Sequence, residues 1–236
     1  MKKRIWELDA LRGIGILGVV AVHLIYDMTE LYPIWQMEES KLFNFLQEWG
    51  SLLFLVLSGI CVTLGKRHIR RGLLVLACGL LVSAVTYGMY CLELADSGVI
   101  VYFGILHCLG ICMVLWQAFR CLPVWSLPVI GAVLIWAGFY LEKTVVADSL
   151  WLLPFNIMPV YFATADYFPL LPYMGYFLVG AMLGKLLYRN KQSLLPGVNE
   201  KNPVVAALCW CGRNSLWIYL IHQPVLVGIL AISNPS

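Results

Sequence analysis

Charge is what this chain lacks most. Asp, Glu, Lys and Arg make up 12% of its 236 residues while 61% are hydrophobic; a soluble domain carries about a quarter charged residues, so water is excluded as the solvent for most of the chain. Backbone groups in lipid find no outside partner, which restricts spans to helices or a closed barrel. Barrel strands would alternate apolar and polar residues, and long unbroken apolar runs stand here instead. A cleavage signal is also lacking. Met1-Lys2-Lys3-Arg4 opens like a signal peptide, yet the apolar run behind it leads to His23, Tyr26 and Asp27 with no small-residue cleavage site, and is expected to be an uncleaved first span. No two of the eight cysteines form a CxxC pair, so neither a zinc site nor a redox motif is supported, and no metal is expected. Cys61, Cys78, Cys91, Cys108, Cys112, Cys209 and Cys211 lie in or beside apolar helices, and Cys121 follows one, as small apolar residues do. Low-complexity segments and repeats are missing too, so residues 1–236 are expected to form a single domain, with no nucleic-acid partner.

What is present is a series of apolar stretches of ~20 residues, enough to cross ~30 Å of hydrocarbon. They fit seven times: Asp9–Met28, Leu42–Gly65, Gly72–Cys91, Val99–Phe119, Val124–Leu141, Leu170–Leu187 and Asn214–Ile232. The expected fold is all-α, a polytopic membrane helix bundle of about seven spans, within a range of six to eight. Glu142 to Pro169 is broken by Pro154, Pro159 and polar residues, with Trp151 to Phe162 expected to re-enter the membrane or lie on it. Cytoplasmic loops hold the excess of Lys and Arg. With the N-terminus inside, fourteen of the sixteen basic residues fall on the inner side, leaving Lys41 and Lys143 outside. The expectation is N-terminus inside, C-terminus outside, in a cell membrane of the bacterial cytoplasmic type.

Ionisable residues within spans cost a few kcal/mol unless paired or facing a cavity, which makes them functional candidates. Arg12 and His23 are eleven positions apart, which returns them to within ~20° on one helix face and ~16 Å apart along the axis. Asp27, four positions beyond His23, is expected to accept a hydrogen bond from its imidazole, orienting a ring that takes a proton with its other nitrogen. Counted at ~1.5 Å per residue from the outer ends, His23 lies ~8 Å deep, Glu48 ~9 Å, His107 ~12 Å and His222 ~15 Å, one layer in the outer half. His68, in the basic stretch Lys66, Arg67, Arg70, Arg71, is expected to be solvated, and that stretch serves either as a topology signal or as a phosphate site.

LDALRGIGILGVVAVHL, Leu8 to Leu24, resembles the first-span signature of transmembrane acyltransferases, an arginine followed after ten residues by a histidine. FLVLSGICVTLG, Phe54 to Gly65, resembles their second-span element. YFGILHCLG at Tyr102 to Gly110, DYFPLLPYMGYFLVGAMLG at Asp166 to Gly184 and GRNSLWIYLIHQPVL at Gly212 to Leu226 are similar to short bacterial relatives of the heparan-α-glucosaminide N-acetyltransferase catalytic domain. The resemblance covers nearly the whole chain in order. It implies acetyl transfer from cytoplasmic acetyl-CoA to an amino or hydroxyl group of a glycan or glycoside across the membrane, without a metal. It maps the motif histidine onto His23 and the CoA-side arginine onto Arg12. Lys66, Arg67, Arg70 and Arg71 would then join Arg12 in holding CoA phosphates, with His107, His222 and Glu48 beside His23 and Asp27, and Asp166 on the acceptor side. Lipid, acetyl-CoA and the acceptor are the expected partners, with room for a homo-oligomer. Two other classes fit buried charges of this kind: a transporter or flippase of a lipid-linked precursor, or a non-catalytic membrane partner subunit.

Overall fold

The computed structural model describes residues 4–31, 41–200 and 202–233, with the side chains of 30–31 and 41–48 outside the described residues. The described chain is helical: α1 Trp6–Tyr26, a π-helical turn Asp27–Leu31, α2 Lys41–Leu64, α3 His68–Cys91, α4 Ile105–Phe119, α5 Ser126–Thr144, α6 Leu170–Leu187, α7 Pro203–Arg213 and α8 Ser215–Ser233. Short 3-10 turns at Ser97–Val99 and Leu150–Phe155 interrupt the connections. The all-α expectation is met. Among the described residues five helices are long and apolar enough to cross a membrane: Trp6–Thr29, His68–Cys91, Ser126–Thr144, Leu170–Leu187 and Ser215–Ser233. The apolar helix Ile105–Phe119 is shorter.

The chain divides into two compact units, one of residues 1–54 and 190–236, the other of residues 55–189. In the first, α1 packs along α7 and against α8. Contact with α7 is backbone to backbone. A Cβ on Gly13 would run into the carbonyl of Leu208, and one on Gly212 into the carbonyl of Asp9, so both positions need glycine for the axes to come this close. Glu7, buried in the first turn of α1, accepts from Ser193 Oγ at 2.8 Å and Leu194 N–H at 2.7 Å. Trp6 donates its indole N–H to the Leu195 carbonyl at 3.2 Å. Leu11, Ile14 and Leu17 of α1 and Trp217, Ile221 and Ile229 of α8 stay exposed, as side chains do when the surrounding medium is lipid.

α7 lies between the expected spans Leu170–Leu187 and Asn214–Ile232, where no helix is expected from the sequence. Its eleven residues are too short to register as a span. Its start does carry a local signal, because Asn202 accepts from Val204 N–H at 2.9 Å and Pro203 takes the first helical position, where a missing N–H costs nothing.

In the second unit α3 pairs with α4 and α5 with α6. The span expected to begin at Val99 starts later: Val99 closes a 3-10 turn, Ile100 and Gly104 are extended, and α4 begins at Ile105. Phe103 forms an isolated parallel bridge with Tyr167. Residues 145–169 contain no α-helix, so no eighth helical span arises there. Asn156, in the left-handed conformation, donates to the Gly138 carbonyl and to Glu142, both at 3.2 Å. The Tyr167 hydroxyl donates to Leu153 O at 2.8 Å. Burial, then Glu142 and Tyr173, raise that phenol above its ordinary range, which keeps the hydroxyl a donor. Lys185 Nζ donates to the carbonyls of Arg120 and Leu122 at 2.9 and 3.0 Å, a cation on the free carbonyls that end α4.

His68 is not solvated. It is 7% exposed at the first position of α3, with Nε2 at 2.8 Å from Gln117 Oε1 on α4.

Candidate functional site

Within the first unit, α1 ends at Tyr26 and the backbone widens into the π turn beginning at Asp27. The Asp27 N–H reaches the carbonyls of both His23 and Leu24. Such widenings often occur at functional sites, and this one lies beyond the His23–Asp27 turn, which is still regular helix. The expected hydrogen bond from His23 to Asp27 is replaced by one from α8: Gln223 Nε2 donates to Asp27 Oδ1 at 2.9 Å and Oδ2 at 3.1 Å. Asp27 is 1% exposed, so this amide supplies hydrogen bonds that a dry carboxylate needs.

His23 instead meets the preceding residue of α8. The rings of His23 and His222 stand edge to face, centroids 4.8 Å apart and planes at 61°. His222 Nδ1 is hydrogen-bonded to the carbonyl of Tyr219 one turn back, and the Tyr219 ring lies 5.4 Å away. Asp27 is within electrostatic reach of His222. Three buried polar atoms of this unit have no hydrogen-bond partner among the described residues: His222 Nε2, Gln223 Oε1 and Arg12 Nε. Arg12 shares α1 with His23 but lies three turns earlier, beside the Gly13 contact with α7. The neighbouring His222 Nε2 and Gln223 Oε1, one basic nitrogen and one amide oxygen without a partner among the described residues, are equipped to receive a polar ligand.

Other predicted residues fall elsewhere. His107 and Asp166 meet in the second unit, at the start of α4. The Gly104 N–H donates to His107 Nδ1 at 3.1 Å, the His107 N–H returns to the Gly104 carbonyl at 3.0 Å, and Ile105 N–H donates to Asp166 Oδ2 at 3.1 Å. Because Nδ1 accepts, His107 carries its proton on Nε2, which lies 3.4 Å from Ser83 Oγ; that hydroxyl donates to the Val101 carbonyl. His107 also stacks on Phe103 at 5.6 Å. Both residues are thus occupied in satisfying the N–H groups that open a helix. Lys66, Arg67, Arg70 and Arg71 are exposed around the start of α3. The side chain of Glu48 lies outside the described residues. Among the described residues no cluster of His, Cys, Asp and Glu is arranged to hold a metal.

Sequence reasoning missed Gln223, whose only signal was its place between His222 and Pro224 in a late apolar helix. It also missed Tyr219 as the residue that orients His222.

A helical chain with several membrane-length apolar helices and a histidine pair among them is a membrane protein of the polytopic class. The family model for heparan-alpha-glucosaminide N-acetyltransferase, catalytic, matches residues 4–224. The chain belongs to that family, and so to the membrane acetyltransferases. No curated protein matches it at a significant level. No solved structure does either.

Proposed function

We propose that this protein moves an acetyl group from acetyl-CoA, taken from the cytoplasm, to an amino or hydroxyl group of a glycan or glycoside on the other side of the membrane, with His23 as general base. The observation that carries this reading is the ring contact between His23 and His222 beside the buried Asp27, in a chain of an acetyltransferase family. Thioester acyl transfer needs the acceptor's proton removed as its nitrogen or oxygen attacks the carbonyl carbon, and a positioned histidine supplies ~10²–10⁴-fold of rate in such steps. Arg12, whose Nε has no partner among the described residues, and the exposed Lys66, Arg67, Arg70 and Arg71 are assigned to the phosphates of CoA. Arginine suits that task through its bidentate, always-charged fork. On this reading the chain crosses the bacterial cytoplasmic membrane about seven times with the N-terminus inside, so that the basic residues meet cytoplasmic CoA.

The test is acetyl transfer in proteoliposomes with labelled acetyl-CoA and a panel of amino sugars and hydroxylated glycosides, wild type beside His23→Ala. Label should move to an acceptor with wild type only. Uptake or flipping of a glycan with no consumption of acetyl-CoA would replace this reading by the transporter one.

A further inference from the structure

His222 stands in a defined protonation state. Its Nδ1 is bonded to the Tyr219 carbonyl, and a carbonyl only accepts, so Nδ1 carries the proton and Nε2 of the neutral ring is a bare lone pair. That Nε2 is buried with no partner among the described residues, on a side chain 8% exposed. It belongs to a ring in edge contact with His23. No hydrogen bond to a described residue orients His23 itself, because Gln223 has taken Asp27. Among the described residues, one ring is therefore fixed with its basic nitrogen unpartnered, and the other has no hydrogen bond to orient it.

We propose that His222 is a positioning residue that acts through His23: its Nε2 accepts the N–H of His23 while the other nitrogen of His23 takes the acceptor's proton. This rests on the acetyltransferase reading above. In the step, the acceptor's nitrogen or oxygen bonds to the acetyl carbon, the C–S bond breaks with its electron pair leaving on the CoA sulfur, and the acceptor's proton passes to His23. The imidazolium presents its second N–H to His222 Nε2, and Asp27 offsets the positive charge of the pair. The proton then returns to the thiolate, leaving CoA as the thiol and both rings neutral. Among the described residues the ionisable groups beside His222 are Asp27 on the π turn, within electrostatic reach, and the rings of His23 on α1 and Tyr219 on its own helix, in contact; Gln223 is neutral.

The experiment is His222→Asn in full-length protein in proteoliposomes. The asparagine amide keeps a donor where Nδ1 stood and removes Nε2. We expect kcat to fall 10- to 100-fold, KM for acetyl-CoA to stay within about two-fold, the acidic limb of the kcat–pH profile to move, and thermal unfolding to be unchanged. A wild-type kcat and pH profile overturns the proposal. Nitrogen-15 solid-state spectra of histidine-labelled wild type, assigned by replacing the other three histidines singly, decide the matter if the variant does not fold. They should show His222 protonated on Nδ1 and a shift in its resonance when His23 is replaced by Asn; a His222 protonated on Nε2 overturns the proposal. If wild type consumes no acetyl-CoA with any acceptor, the acetyltransferase reading fails by itself, and the nitrogen spectra still report whether the two rings are coupled.

Discussion

Gln223 holds Asp27 by donating one amide nitrogen to both carboxylate oxygens, at 2.9 and 3.1 Å, across 196 positions of sequence. The carboxylate is almost fully buried. Gln223→Leu removes the donor and leaves it dry. Thermal unfolding in detergent should show a loss of about 1–3 kcal/mol, largely recovered in Gln223→Leu with Asp27→Asn, since a neutral amide is less costly to bury than a charge. Recovery of stability without recovery of turnover would separate the structural role of Asp27 from its charge-balancing one.

His23→Ala should lower transfer by at least ~10²-fold with the protein still folded, as removal of a general base does. Steady-state rates beside a thermal unfolding curve are the check. A folded variant with near-normal rates removes His23 from the reaction.

His107 gives the opposite expectation. Its Nδ1 accepts the Gly104 N–H at the head of α4, and loss of such a cap costs about 0.5–2 kcal/mol. His107→Ala should lower the unfolding temperature while turnover per folded molecule stays within a few-fold. A large drop in kcat at unchanged stability would return His107 to the chemistry.

At the basic residues, Arg12→Lys and the double change Arg70→Lys with Arg71→Lys retain the charge and thus the insertion signal. They lose the bidentate fork. KM for acetyl-CoA should rise several-fold with a smaller change for the acceptor, and rising salt should weaken wild-type binding of CoA through the exposed part of the contact, screened over ~8–10 Å. Unchanged acetyl-CoA kinetics in all of these variants would leave the stretch a topology signal.

Glycines of α1 supply an internal control. Gly13→Ala drives a methyl into the Leu208 carbonyl, whereas nothing lies within 4 Å of a Cβ on Gly18. Overpacking of the first kind costs about 1–3 kcal/mol; the second should be neutral. Parallel unfolding curves test the difference.

The boundaries of α6, Leu170–Leu187, were legible in the sequence to the residue, and α1, α3, α5 and α8 nearly so, because a long apolar run announces itself by composition alone. α7 was not, since eleven residues fall beneath any span-length window and only the Asn202-Pro203 pair marks them. Within the candidate site, His23, Asp27 and His222 could be named from their types and depths. Their pairing could not. Helical spacing put Asp27 under His23, but an amide nearly two hundred positions away takes that carboxylate. His107 and Asp166 looked equivalent to the others in depth and polarity, and only the location of α4's first residue reveals that they serve its N–H groups.

The contact of Gly13 with α7 also acts as a fulcrum. From Gly13 to His23 is ten residues, so the histidine sits on an arm of ~15 Å, and a tilt of ~4° at the glycine carries it ~1 Å. Misplacement on that scale can cost ~10²-fold in rate. A methyl at Gly13, or at Gly212 facing it, should therefore be felt in the turnover number at temperatures where the protein is still fully folded, through leverage on a ring it never touches.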